Sequence, residues 1–252
     1  MKQLITILAI LISFLGNAQN ETLFNNATSA YNEADYNKAI ENYLKIIDNG
    51  EHSSELYFNL GNAYYKINEI APSVYYYEKA LLLKPNDPEI MTNLGYAQNM
   101  TLDAIEKLPE TGFAKIYNKL TDFLSFDQWA YVAIALLLLF VLTYIAFYFF
   151  RYATQKRIAF ITSIVSLILS VFTIVMAYLQ YTDFKNHQPA IVFAKETIIK
   201  SEPNDRSEEV FRLHQGTKVN VLDQLNDWKK IRIVDGKTGW ILSTDMKVLK
   251  DF

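Results

Sequence analysis

The chain has 252 residues, of which 51% are apolar and 20% charged, and its net charge is −3; that length allows about one to two ordinary domains. The near-neutral total hides a split, because residues 20–108 carry six Lys/Arg against thirteen Asp/Glu, a net of −7, whereas residues 183–252 carry twelve against eleven. No segment is basic enough for a nucleic-acid surface, and the lack of cysteine excludes disulfides, thiolate metal sites, a cysteine nucleophile and a lipid anchor on cysteine.

Met1 and Lys2 precede an apolar run from Leu4 to Leu15 and then Gly16-Asn17-Ala18. A short positive start, about a dozen apolar residues and small residues before a cut predict a secretory signal peptide over 1–18, cleaved after Ala18. The run is too short to span about 30 Å of hydrocarbon; an uncleaved anchor is the alternative.

Residues 20–108 repeat with a period of 34. Tyr57, Leu60, Gly61, Tyr64, Tyr77, Ala80 and Pro85 form one unit; 34 residues earlier stand Leu23, Ala27, Ala30, Tyr43 and Ile46, and 34 later Leu94 and Gly95. Small residues at Ala27, Gly61 and Gly95 are expected where the two helices of a repeat cross closely, with Ala39 and Ser73 as a second small pair. Tyr43 and Tyr77 should fill the space between helices. The pattern resembles the tetratricopeptide-repeat (TPR) family, with Asn26 in place of a usual Leu. A third repeat has only its first helix, running from Pro88 towards Lys107, expected as the polar capping end a solenoid needs.

The resemblance implies a binding role. The concave face, lined by the first helix of each repeat, should present Phe24, Asn25, Thr28, Tyr31 and Asn32, then Phe58, Asn59, Asn62, Tyr65 and Lys66, then Thr92, Asn93, Tyr96 and Asn99. Asn25, Asn59 and Asn93 occupy one repeat position. The resemblance implies that these amides pair with the backbone of an extended partner segment, since an amide both donates and accepts; solvated polar positions are the alternative. Phe24 and Glu89 stand where the carboxylate-binding TPR subtype carries lysine, and the acidic array disfavours an anionic ligand.

After Pro109, Phe113, Ile116, Tyr117, Leu120, Phe123 and Leu124 recur at helical spacing. They predict an amphipathic segment over 109–128, lying on a membrane surface or packed on the repeats. Residues 129–150 and 158–179 contain no charge and are each long enough to cross a bilayer. The loop 151–157 between them holds Arg151, Lys156 and Arg157 and no acid, which predicts that it is cytoplasmic and that both flanking domains are outside. Trp129, Tyr131, Tyr178 and Tyr181 fit an interfacial aromatic belt. Ala159, Ser163, Ser166, Ser170, Thr173 and Ala177 form a small-residue helix face, suited to packing on the first span or on another membrane protein.

Residues 189–250 change to short alternating strands with a hairpin signal at Asp235-Gly236. The run Gly216-Thr217, Val219, Val221, Trp228, Ile231 and Asp235-Gly236-Lys237-Thr238-Gly239-Trp240 resembles the bacterial SH3 (SH3b) domain. That implies a small β-barrel with Val219, Val221, Ile231 and Ile233 in its core, and binding of cell-wall peptides or help in assembly. Trp228 and Trp240 are the ligand-surface candidates, or else structural cover. His52, His187 and His214 are isolated, without metal-ligand spacing, and no glycine-rich phosphate loop or carboxylate pair stands out. No catalytic residue, metal or cofactor is expected.

The fold class expected is a multidomain membrane protein: all-α TPR repeats, a two-helix transmembrane hairpin and an all-β SH3-like barrel. This order, with Leu124-Ser125-x-Asp127-Gln128-Trp129-Ala130 at the join, resembles the BatE proteins of the Bat aerotolerance operon. The resemblance implies an inner-membrane protein with both domains periplasmic. It implies partners among Bat-type membrane proteins with von Willebrand A domains, and indirectly a MoxR-type ATPase, in stress or oxygen tolerance. A cell-wall sensor binding peptidoglycan through the SH3b domain is the alternative.

Overall fold

A computed structural model describes residues 19–105, 112–121 and 123–250; the expected signal peptide, 1–18, and the start of the segment after Pro109 lie outside the described residues. The described residues divide into two compact units, one made of 19–105 with 188–250 and the other of 112–121 with 123–187.

The first unit begins with α1 (residues 19–32), α2 (Tyr36–Asp48), α3 (Ser54–Lys66), α4 (Ile70–Leu83) and α5 (Pro88–Gln98). The period of 34 governs the helix ends as well as the core. The side chain of Ser53 accepts from Leu56 N and caps α3, while Asp87, one repeat later, accepts from Glu89 N and Ile90 N and caps α5. Left-handed residues at Ala34 (φ 63°) and Asn68 (φ 61°), again 34 apart, turn the chain between the paired helices. Ala27, Ala39, Tyr43, Leu60, Ser73 and Tyr77 are buried. A Cβ on Gly61 would lie 2.6 Å from Cδ1 of Tyr77, and Ser73 Oγ donates to the Gly61 carbonyl at 2.9 Å, so the two helices of the second repeat approach backbone to side chain. Gly95 differs from expectation: a Cβ there would meet nothing within 4 Å, and among the described residues no second helix follows α5 in this repeat. The third helix is also shorter than expected, ending at Gln98. Its Leu94 and Ala97 are buried.

Residues 188–250 form seven antiparallel strands in one sheet: β1 (Gln188–Val192), β2 (Glu196–Lys200), β3 (Glu209–His214), β4 (Lys218–Leu225), β5 (Trp228–Arg232), β6 (Thr238–Leu242) and β7 (Met246–Val248), in the order β3-β2-β6-β5-β4-β1-β7. The Asp235-Gly236 hairpin turns β5 into β6, with Gly236 at φ 88° and Asp235 Oδ1 accepting from Lys237 N. Val219, Val221, Ile231 and Ile233 lie in the core with Ala190, Val192, Ile199, Leu213, Ile241 and Met246. β1 is buried on both faces: Ala190 and Val192 point into this core, and Ile191 between them points into the core of the helical array.

The second unit holds α6 (Gly112–Thr121), α7 (Phe126–Phe149) and α8 (Ala153–Asn186). The Ser125-to-Gln128 join is a reciprocal helix start: Gln128 N donates to Ser125 Oγ at 3.2 Å and Ser125 N to Gln128 Oε1 at 3.0 Å. Both long helices have stretches of mean hydropathy 2.6. α8 rises about 51 Å at 1.5 Å per residue, longer than about 30 Å of hydrocarbon. The helices extend past the apolar runs, α7 starting at Phe126 and α8 taking in Lys156 and Arg157. On α8, Ala159, Ser163, Ser166, Ser170 and Thr173 are buried, and Ser170 Oγ donates to the Ala133 carbonyl of α7 at 3.3 Å. Tyr117 of α6 donates to Asp183 of α8 at 2.8 Å, while Ile116, Leu120 and Phe123 are exposed.

Candidate functional site

The first helices of the repeats, α1, α3 and α5, carry the expected groove residues. Asn59, Asn62 and Asn93 are tied inward, whereas Asn25 is exposed. Tyr43 hydroxyl is held by Thr28 and Asn59. One repeat later Tyr77 hydroxyl donates to Asn62 Oδ1 at 2.6 Å, and Asn93 Nδ2 donates to the same oxygen at 2.9 Å. Burial holds the Tyr77 phenol above its ordinary value, so it stays a neutral donor. Asn62 and Asn93 thus brace one repeat against the next, a job the period alone did not reveal. Asn62→Ala leaves the buried Tyr77 hydroxyl without its acceptor and is expected to cost about 1–3 kcal/mol. Asn93→Ala leaves that bond intact and should cost less, as urea unfolding of the two variants will measure.

Two clefts of the helical array are open to a ligand and lie in the same repeat register. The first, about 230 Å³, is lined by Asn20, Glu21, Phe24, Ser53 and Leu56 among others. The second, about 300 Å³, is lined by the equivalents Ser54, Glu55, Phe58, Asp87 and Ile90, with Glu89. Phe24 packs edge-on against Tyr43, and Phe58 tilts against Tyr77, so each cleft has an aromatic wall fixed by the repeat's buried tyrosine. Glu21, Glu55 and Glu89 recur every 34 residues and are exposed. Tyr96 is 57% exposed, Lys66 and Asn25 are exposed, and Tyr31 and Tyr65 are half-buried.

On the β domain, Trp228 faces Leu242 and Trp240 faces Lys230 across the β5–β6 pair. Strand alternation puts these side chains opposite buried Ile231, Gly239 and Ile241, so both tryptophans are half-buried on the outer face. His214, isolated in sequence, is not isolated in space. Its backbone N and ring Nδ1 each lie 2.7 Å from the Asp103 carboxylate, which also accepts from Thr217 Oγ1 at 2.5 Å. Burial pushes the Asp103 carboxyl up, but the bonds from Thr217 and His214 outweigh it and hold it below the ordinary value. A depressed folded-state pKa stabilises above the unfolded value of about 3.9, and that gain is lost as pH falls through the lower folded value. Acid titration of stability from about pH 5 down to pH 2 should therefore be flatter in Asp103→Asn than in the parent chain.

Comparison with known proteins agrees with this architecture. A family described as tetratricopeptide repeat matches residues 54–87, which are α3, α4 and the cap of α5. A family described as bacterial SH3 domain matches residues 195–247, from β2 to β7. The photosystem I assembly protein Ycf3 of a Synechococcus species is 35% identical over 75 residues, 29% of this chain and 43% of that protein, so the match takes in less than half of its length. The chain therefore combines a TPR-type helical array, two helices apolar and long enough to cross a membrane, and a bacterial SH3 domain. Both recognised domain types are commonly binding modules.

Proposed function

We propose that the chain is a non-enzymatic scaffold of an inner-membrane, Bat-type complex, whose repeat groove holds an extended segment of a partner. The observation that carries this reading is the pair of register-matched clefts, each with a fixed phenylalanine and a free-facing glutamate. Clefts one repeat apart suit an extended chain, and an array with net −7 over residues 20–108 suits a cationic or neutral one. The partners in this reading are Bat-type membrane proteins with von Willebrand A domains, linked indirectly to a MoxR-type ATPase and to stress or oxygen tolerance.

The same reading places both domains in the periplasm and the segment 151–157, the link and first turn of α8, in the cytoplasm. Two observations support it. That segment is basic with no acid. The helical array and the β domain belong to one unit although α7 and α8 separate them in sequence, which requires an even number of crossings. Single cysteines test the topology against a background without native thiols: Asn49→Cys and Ser207→Cys should react with an impermeant reagent in spheroplasts, and Thr154→Cys should not. Labelling of Thr154→Cys in intact spheroplasts overturns the assignment.

The functional test is co-purification of a named von Willebrand A-domain Bat partner with the parent chain and with Glu21→Lys/Glu55→Lys/Glu89→Lys. Capture should fall on the order of tenfold, about 1.4 kcal/mol; undiminished capture removes the groove from the mechanism. The half-buried tryptophans of the outer β5–β6 face favour a second reading, peptidoglycan binding by the SH3 domain. It predicts that Trp228→Ala reduces sedimentation with purified cell wall.

A further inference from the structure

The third repeat has a first helix, α5, and no second helix among the described residues. Its Leu94 and Ala97 stand one repeat after Leu60 and Ala63, which are fully buried in a cluster with α1 and α2 of the preceding repeat. Leu94 and Ala97 are 7% and 0% exposed. Their cluster holds Tyr57, Ile70, Val74, Tyr77 and Ala80 of the preceding repeat and, in addition, Ile191 of β1 and Leu249 beyond β7, each fully buried. Val74 and Glu78 of α4 likewise stand one repeat after Ile40 and Leu44 of α2, positions that pack in the cluster joined by Tyr76 of α4. Glu78, 6% exposed, receives Lys218 Nζ of β4 at 2.6 Å, and Tyr75 donates to the Val248 carbonyl at 3.3 Å.

We infer that the β domain stands in for the missing second helix of the third repeat and closes the array, so that the two domains form one recognition body and not two tethered ones. The exchange runs both ways. After α5, Ile105 packs against the core of the β domain, and Asp103 takes its three bonds from His214 and Thr217. Gly216 lets the surfaces close: its φ is 88°, and a Cβ there would lie 2.7 Å from Cγ2 of Thr101. Ile191 and Leu249 both fall outside the residues matched to the bacterial SH3 family, 195–247. These two docking residues therefore flank the recognisable domain, while His214, Gly216, Thr217 and Lys218 lie inside it. The cover stops short of Gly95, where a Cβ would meet nothing.

The test uses the full chain in detergent with Ala97→Cys as its single thiol. Lys218→Glu sets a second carboxylate against buried Glu78, and removing the partner of a buried charge is strongly destabilising. Labelling of Ala97→Cys should then accelerate about tenfold or more. Swapping the pair, Glu78→Lys with Lys218→Glu, should restore most of the protection. Unchanged labelling in Lys218→Glu overturns the inference. So does failure of the swap to restore protection, since that outcome means general damage and not lost docking. In the parent chain, zero-length carbodiimide coupling should join Glu78 to Lys218, and absence of that product counts against the contact.

Discussion

Gly61→Leu is expected to abolish cooperative melting of the repeat array. Even the first added carbon would lie 2.6–2.9 Å from three ring atoms of Tyr77. That ring cannot retreat, because Tyr77 is 1% exposed and its hydroxyl is held by Asn62. The backbone of Gly61 cannot retreat either, since its carbonyl accepts from buried Ser73. Overpacking typically costs about 1–3 kcal/mol, and here it falls on a rigid contact in a short array whose total stability is about 5–15 kcal/mol. Gly95→Leu is the matched control: the same repeat position, with open space, should melt like the parent. Near-UV circular dichroism of the buried tyrosines follows both, and equal melting of the two variants would show that the helix crossing does not confine Gly61.

Ile191→Ala is expected to be the other severe change, and to weaken the helical array from within a β strand. Ile191 is fully buried in the cluster of Tyr57, Val74, Leu94 and Ala97, while its neighbours Ala190 and Val192 stay in the β core. Truncating a buried isoleucine to alanine costs about 2–5 kcal/mol, through lost transfer energy and the cavity left behind. Val234→Ala, at a 45% exposed position of the β domain, should stay within about 0.5 kcal/mol. Guanidinium unfolding followed by thiol exposure of Ala97→Cys reads the array directly. If Ile191→Ala leaves that midpoint where Val234→Ala does, Ile191 does not support the repeats.

These two residues also divide what the sequence could tell from what it could not. The role of Gly61 was legible because repeats reuse one solution: a small residue recurs at Ala27 and Gly61, and a tyrosine at Tyr43 and Tyr77. The apolar helices were legible from composition, because a charge-free run of that length has few alternatives. Ile191 was not legible as an array residue. Its partners on α4 and α5 are separated from it by the whole of α6, α7 and α8, and no local period links them. The available signal was the unbroken apolar run Ala190-Ile191-Val192, since a strand with one wet face alternates and a strand buried on both faces does not. Asp103, His214 and Thr217 were missed for the same reason, being 111 and 114 residues apart. The Asn ladder was legible as a period, but whether an amide faces a ligand or a tyrosine is decided by rotamers that no spacing encodes.

The array precedes α7 and α8 in the chain, and the strand that completes its core follows them. A ribosome adding about 5–20 residues per second would finish α5 several seconds or more before Ile191 and Leu249 exist. Through that interval the cluster of Ile70, Val74, Leu94 and Ala97 lacks the cover that Ile191 and Leu249 supply. Completion of the repeats is thus deferred until both apolar helices have been made and β1 has been brought back to the array. In the proposed membrane topology, an inverted hairpin still returns β1 to the side of the array, whereas a chain in which only one of the two helices crosses leaves the array unfinished.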